Sequence, residues 1–233
     1  GYQADLIVCR HVLEHIQNPT SFLRMVREAV GTKANTHMFF EVPNALSIFQ
    51  RLFLWDIIYE HCSYFTHSSL LRAFASCGFH VEELTEEYQG QFLCLDAVPC
   101  NQQDPRNNWQ YDISQITHSI ESFKVLHDQK VVEWRSRLKR IQEEGNRAVV
   151  WGAGSKGVTF LNAFRNIAAV EYAVDINPRK QGMYVPGTGQ EIVPPSFLES
   201  YQPDIVIVVN PVYKNEIRDT IAGLDLTPII ISI

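Results

Sequence analysis

Along the 233-residue chain, apolar positions fall into two periods, and the switches between them mark the elements. The short run DLIV, from Asp5, has the length and branching of a strand, and PTSFLRMVREAV after it predicts a helix closed by Gly31. THMFFEVP predicts a second, buried strand. An unusually apolar and aromatic segment, ALSIFQRLFLWDIIYEHCSYFT, comes next. HSSLLRAFASC predicts a helix capped by Thr66 or Ser68 and closed by Gly78. FHVEEL and QFLCLDAV are strand candidates suited to antiparallel pairing.

From Pro99 to Gln110 the pattern lapses into PCNQQDPRNNWQ, polar and proline-bearing, which reads as a linker. Residues 111 to 144 then carry Ile113, Ile116, Ile120, Phe123, Leu126, Trp134, Leu138 and Ile141 at helical spacing. Two readings stay open there. One is a helix or pair of helices packed on a domain; the other is a dimerising coiled coil, which the imperfect heptad disfavours. The last third restarts with a strand, a glycine turn and a helix in RAVVWGAGSKGVTFLNAF. VEYAVDINP, DIVIVVNP and TPIIISI are its further strands, which makes this part a small Rossmann-like domain. The fold class is α/β, with boundaries at 1–98, 99–144 and 145–233.

Composition narrows the function. Hydrophobic residues at 45% and charged residues at 20% describe a soluble globular protein, and the net charge of −6 leaves no footprint for nucleic acid or anionic membrane. The five cysteines form no C-x-x-C pair and are odd in number, so they indicate neither a disulfide framework nor a zinc cluster, and a reducing cytoplasm is the expected compartment. No apolar run approaches the ~18 residues of a membrane span. The chain enters a central-type strand almost at once, which suggests a fragment.

Three stretches could carry chemistry. His11, Glu14 and His15 form H-x-x-E-H, the spacing of an inverted zincin, which needs both imidazoles on one helix face. The strand just before His11 and Pro19 just after leave about one helical turn, so the motif reads better as a loop at the C-terminal mouth of a strand, and no metal is expected. Gly152, Gly154 and Gly157 give G-x-G-x-x-G between a strand and a helix, with Ser155 and Lys156 in the turn and Asp175 ending the next strand where a dinucleotide fold places its ribose acid. That turn either cradles a phosphate-bearing ligand or serves packing alone. In WDIIYEHCSYF, Tyr59, Glu60, His61 and Tyr64 are a general-base and phenol cluster or partly buried packing residues.

A resemblance bears on these alternatives. VCRHVLEHIQNP looks like the fourth strand and following turn of class I S-adenosylmethionine-dependent methyltransferases. YEHCSYFTHSSLLRAFASCGF resembles the sugar C-methyltransferases acting on nucleotide-linked keto-deoxysugars, whose C-terminal Rossmann-like domain opens as VVWGAGSKGVTFLN does here. The glycine loop and ribose acid of the cofactor site and the N-terminal zinc-binding cysteine cluster of that family do not occur in this sequence. The resemblance therefore implies the C-terminal part of such an enzyme, from the fourth of seven strands ordered 3-2-1-4-5-7-6, inactive on its own.

It implies further that His61 is the base removing a proton beside a ketone, with Glu60 its orienting partner or alternate, and that Tyr59 and Tyr64 face the enolate oxygen or sugar. Cys9, Arg10 and His11 fall near the methionine end of S-adenosylmethionine. Gly152, Gly154, Ser155, Lys156, Gly157 and Asp175 are the candidate nucleotide-sugar contacts. The Leu6–Val8 edge is expected to be covered by a second copy of the chain or by N-terminal sequence. Two other functions stay open: a nucleotide-binding or NAD-dependent module centred on Gly152 to Asp175, and a non-catalytic assembly domain using the 111–144 helices.

Overall fold

The computed structural model describes residues 4–31, 35–100 and 114–233, apart from the Gln115 side chain. Ile113 and most of the linker expected over 99–110 lie outside the described residues. Two compact units divide the chain: Gly1–Leu52 with Tyr59–Lys124, and Phe53–Ile58 with Val125–Ile233.

In the first unit, strand β1 (Leu6–Arg10) leads through a single 3-10 turn, Leu13–His15, into helix α1 (Pro19–Val30). The α1 boundaries follow from its caps: the Asn18 side chain accepts from Ser21 N, Pro19 supplies the first helical position, and Gly31 ends the helix at φ 62°. Strand β2 (His37–Pro43) precedes α2 (Ala45–Arg51), which Asn44 caps. Helix α3 (His67–Ser76) starts in a reciprocal Thr66–Ser69 capping box, and β3 (Phe79–Glu87) and β4 (Phe92–Pro99) follow.

The four strands order as β1-β2-β4-β3. β1 is parallel to β2, while β4 runs antiparallel to both β2 and β3. Leu23, Phe40, Phe74, Phe79, Leu93 and Leu95 form the core, and each such side chain contributes roughly 1.5–3 kcal/mol on burial. β1 lacks the burial that its composition anticipates but lies at the sheet edge, as the resemblance implies. Leu6 is 59% and Val8 55% exposed, while Cys9 is buried in the core and Ile7 packs partly against it.

Helix α4 (Ser114–Glu143) is a single helix, contributing its residues up to Lys124 to the first unit and the rest to the second. Its apolar positions differ along its length: Trp134, Leu138 and Ile141 are buried, whereas Ile120 and Leu126 are exposed. The second unit has five parallel strands: β5 (Ala148–Trp151), β6 (Val170–Val174), β7 (Glu191–Val193), β8 (Ile205–Val208) and β9 (Ile229–Ser232). Their order, β7-β6-β5-β8-β9, puts the topological switch between β5 and β8. Helix α5 (Ser155–Ala163) begins there; α6 (Leu198–Tyr201) and α7 (Lys214–Ala222) complete the unit.

The aromatic segment is shared between the units. Its residues 53–58 belong to the second, where Trp55 sits edge-on to Phe160 and Phe164 with ring centroids 5.0 and 5.6 Å away. No helix among the described residues is long and apolar enough to cross a membrane.

Candidate active site at the end of β1

Where β1 ends, the chain turns sharply. His11 takes φ 53°, a left-handed conformation that costs a side-chain-bearing residue about 1–2 kcal/mol. Three contacts hold it: His11 N donates to Glu41 O at 3.0 Å, Nε2 lies 2.8 Å from Glu41 Oε1, and Nδ1 lies 3.5 Å from Glu14 Oε1. Strand register puts Glu41 opposite Arg10 on one side and Cys94 on the other. Buried at 3% exposure, the Glu41 carboxylate accepts from Arg10 Nε at 3.2 Å, from Nη2 at 3.1 Å, and from Cys94 Sγ at 3.7 Å. The hydrogen bond to Glu14 raises the His11 imidazole above its ordinary value, against a smaller opposing effect of burial, and Glu41 adds to the rise. Burial, aided by Glu41, pushes the Cys94 thiol up to about 11.

The 3-10 turn that follows carries Glu14 inward, at 1% exposure, and His15 outward. The loop bearing His61 is stapled onto that turn by its backbone: Cys62 N and Ser63 N donate to Glu14 O at 2.8 and 3.1 Å. His15 Nδ1 lies 3.0 Å from Glu60 O, and because a carbonyl only accepts, the proton is on Nδ1. The His15 and His61 rings meet edge-on with centroids 4.9 Å apart, and Tyr64 lies 5.9 Å beyond His61. One donor atom each from Glu14, His15 and His61 falls within 4.8 Å of the others.

The structure thus brings His61 and Tyr64 together, and it differs from the sequence reading at three neighbours. Tyr59 is 99% exposed, its side chain directed to solvent. Glu60 is also exposed, and what it offers the histidines is its main-chain carbonyl. Cys9 faces the apolar core rather than the strand mouth, where burial raises its thiol. Glu14 and His15 entered the sequence reading only as members of H-x-x-E-H, without a role, and Glu41 did not enter it. The sequence signal for Glu41 is the lone acid in the apolar run MFFEVP.

The glycine turn of the second unit is internally satisfied. Asp175 Oδ2 accepts from Ala153 N at 3.0 Å and from Lys180 Nζ at 2.9 Å, and Oδ1 accepts from Asn177 N at 2.9 Å. Burial pushes the Asp175 carboxyl up, but these hydrogen bonds outweigh it and hold the group below its ordinary value. Lys156 does not extend toward a phosphate position as its place in the turn suggested: Nζ lies 2.9 Å from Asp56 Oδ1, with both side chains about four-fifths buried. Gly152 has φ +111°, and a Cβ there would come 2.7 Å from Val209 Cγ2. A Cβ on Gly157 would overlap the Gly152 carbonyl oxygen. Gly154, at φ −88°, has no such constraint.

Comparison with known proteins bears on both units. Residues 2–84 match a family model described as a methyltransferase domain, and residues 113–225 one described as a C-methyltransferase C-terminal domain. The chain thus carries a methyltransferase domain followed by the C-terminal domain of the C-methyltransferase family. S-adenosylmethionine is the methyl donor of the family. No curated protein matches the chain in sequence.

Among solved structures, an N,N-8-amino-8-demethyl-D-riboflavin dimethyltransferase from Streptomyces davawensis is similar over 42% of this chain and 31% of its own, at 16% identity and TM-score 0.35. A magnesium protoporphyrin IX methyltransferase from Synechocystis PCC 6803, with bound SAH, is similar over 42% of this chain and 46% of its own, at 12% identity and TM-score 0.30.

Proposed function

We propose that this protein is an S-adenosylmethionine-dependent C-methyltransferase acting on a nucleotide-linked keto sugar, in which β1–β4 serve as strands four to seven of the methyltransferase sheet. The order β1-β2-β4-β3, with β4 antiparallel, supports the second part because it reproduces the 4-5-7-6 portion of the order the resemblance implies. The edge position of β1 supports a further strand beside it, from preceding sequence or from a second copy, and exposure of Leu6 and Val8 supports cover over that face.

The donor set at the β1 end tests the fit to the cofactor. Arg10 and His11 are basic side chains 51% and 44% exposed whose Glu41 contacts a methionine carboxylate would have to share; Cys9, turned into the core, offers it nothing. When bound, S-adenosylmethionine supplies an electrophilic methyl group on a sulfonium.

The observation that carries the reading is His61 held against His15 and Glu14 by two backbone hydrogen bonds to Glu14 O. His61 accepts the proton from the carbon beside the ketone, and the electrons of that C–H bond become the enolate. Tyr64 donates its phenol proton's hydrogen bond to the enolate oxygen. Glu14, close and buried, stabilises the imidazolium that forms on His61.

In the full-length enzyme, His61→Ala should lower turnover by roughly 10² to 10⁴ with cofactor affinity nearly unchanged. His61→Asn, closer in shape, guards against a packing effect. Near-normal turnover in both variants would move the base elsewhere. The alternative of an NAD-dependent module is weakened by the glycine turn, whose Ala153 N–H is already used by Asp175.

A further inference from the structure

The H-x-x-E-H motif cannot act as a zincin helix, because Leu13–His15 is one 3-10 turn and His11 is turned toward Glu41. The fold supplies a replacement for His11 from another loop. Glu14, His15 and His61 bring a carboxylate and two imidazoles to one point, each with a donor atom within 4.8 Å of the others. A second observation bears on a cation there. Glu14 is 1% exposed, and its Oε2 accepts no hydrogen bond among the described residues, so a buried carboxylate oxygen is left unsatisfied at the cluster. The His15 Nδ1 bond to the Glu60 carbonyl also leaves a lone pair on Nε2, as the outer hydrogen bond of a metal-ligating histidine does.

We propose that Glu14, His15 and His61 bind one divalent transition-metal ion of the zinc class, with water completing the coordination, and that the bound ion inhibits methyl transfer by occupying the His61 lone pair. Two imidazoles and a carboxylate with a remaining open position suit Zn²⁺, and also Co²⁺ as its spectroscopic substitute. Tetrahedral bonds of ~2.0–2.1 Å put ligand atoms about 3.4 Å apart, so the side chains must close by up to roughly 1.4 Å, within the reach of χ rotation on a fixed backbone. The site is therefore recruited by the ion rather than preformed. The metal-binding half stands on the cluster alone; the inhibitory half rests on His61 as the base.

The test is a difference titration of the protein with Co²⁺, followed by Zn²⁺ displacement, against His15→Gln, Glu14→Gln and His61→Ala. His15 is exposed, so its variant is the one least able to disturb folding. Wild type should bind one more ion per chain than each variant, or bind it at least ~10-fold more tightly, with a tetrahedral visible spectrum lacking a thiolate charge-transfer band. Zn²⁺ should inhibit wild-type turnover in step with occupancy of this site, and a chelator should restore it. Equal binding by wild type and all three variants, or a thiolate band implicating Cys62, would overturn the site while leaving His61 as the base untouched. Occupancy without inhibition would uphold the site and overturn its inhibitory role, together with the assignment of the base.

Discussion

Replacing Gly157 with alanine separates the two roles open to the glycine turn. Gly157 packs against the turn's own main chain: an added Cβ overlaps the Gly152 carbonyl oxygen and comes 3.1 Å from its carbonyl carbon. Neither atom belongs to a side chain that can swing aside. Gly152 N is fixed by Val174 O at 2.8 Å and the residue already has φ +111°, so relief requires moving the turn or the start of α5. Such overpacking costs typically 1–3 kcal/mol, and a main-chain collision belongs at the upper end, about 3 kcal/mol. For a protein of this size that lowers Tm by roughly 6–12 °C.

Gly154→Ala is the matched control. Its φ of −88° is open to alanine, and the nearest atom to a new Cβ is Lys180 Nζ at 4.0 Å, so Tm should shift by about 2 °C or less. Differential scanning calorimetry of both variants, with thymidine diphosphate and NAD titrated into each, checks stability and ligand binding together. A Gly157→Ala protein as stable as wild type would refute the packing account. A stable Gly154→Ala protein that loses nucleotide binding would return the turn to the ligand.

Much of the fold is legible in the sequence because local signals and the tertiary structure agree. Gly31 closes α1, Thr66 rather than Ser68 starts α3, and the apolar runs give eight of the strands. β7 escaped because EIV is three residues long and follows a glycine-rich turn. The edge position of β1 followed from the resemblance, not from DLIV, whose composition is the same whether or not a neighbour covers it. At the candidate site, residue types were readable and partners were not. Asp56 claims Lys156, Glu41 claims Arg10 and His11, and Glu60 serves His15 through its carbonyl, all across separations that no single-sequence pattern encodes. Tyr59 shows the same limit from the other side: it lies two positions from His61, yet the backbone sends its side chain to solvent.

Lys156→Met should cost about 1–3 kcal/mol, between the values for exposed and buried pairs because Lys156 and Asp56 are 21% and 19% exposed; a double-mutant cycle with Asp56→Asn under urea that shows no coupling would dismiss the pair as an anchor. Tyr59→Ala should leave turnover within about two-fold and stability within about 0.5 kcal/mol, and a tenfold loss in steady-state assays would mean that this residue touches substrate. The Asp175 carboxyl titrates below its ordinary value in the fold, so its contribution is present above the unfolded pKa of about 3.9 and fades as pH falls through the lower folded value; Asp175→Asn should therefore flatten the acid limb of a stability–pH curve measured by urea unfolding. His11 has the opposite sign. Glu14, and after it Glu41, raise its imidazole against burial and Arg10, so the folded state binds the proton more tightly than the unfolded chain does. That contribution is fully present below the unfolded pKa of about 6.5, provided the two carboxylates stay ionised, and is lost as pH rises through the raised folded value. His11→Asn tolerates the same φ of 53° and removes the titrating imidazole, whose ring contact with Phe92 is lost equally at every pH, so it should cost more near pH 5.5 than near pH 9. With the side chain 44% exposed, solvent screening keeps the difference to about 1 kcal/mol or less, and equal costs at the two pH values would show that the imidazolium adds nothing to stability.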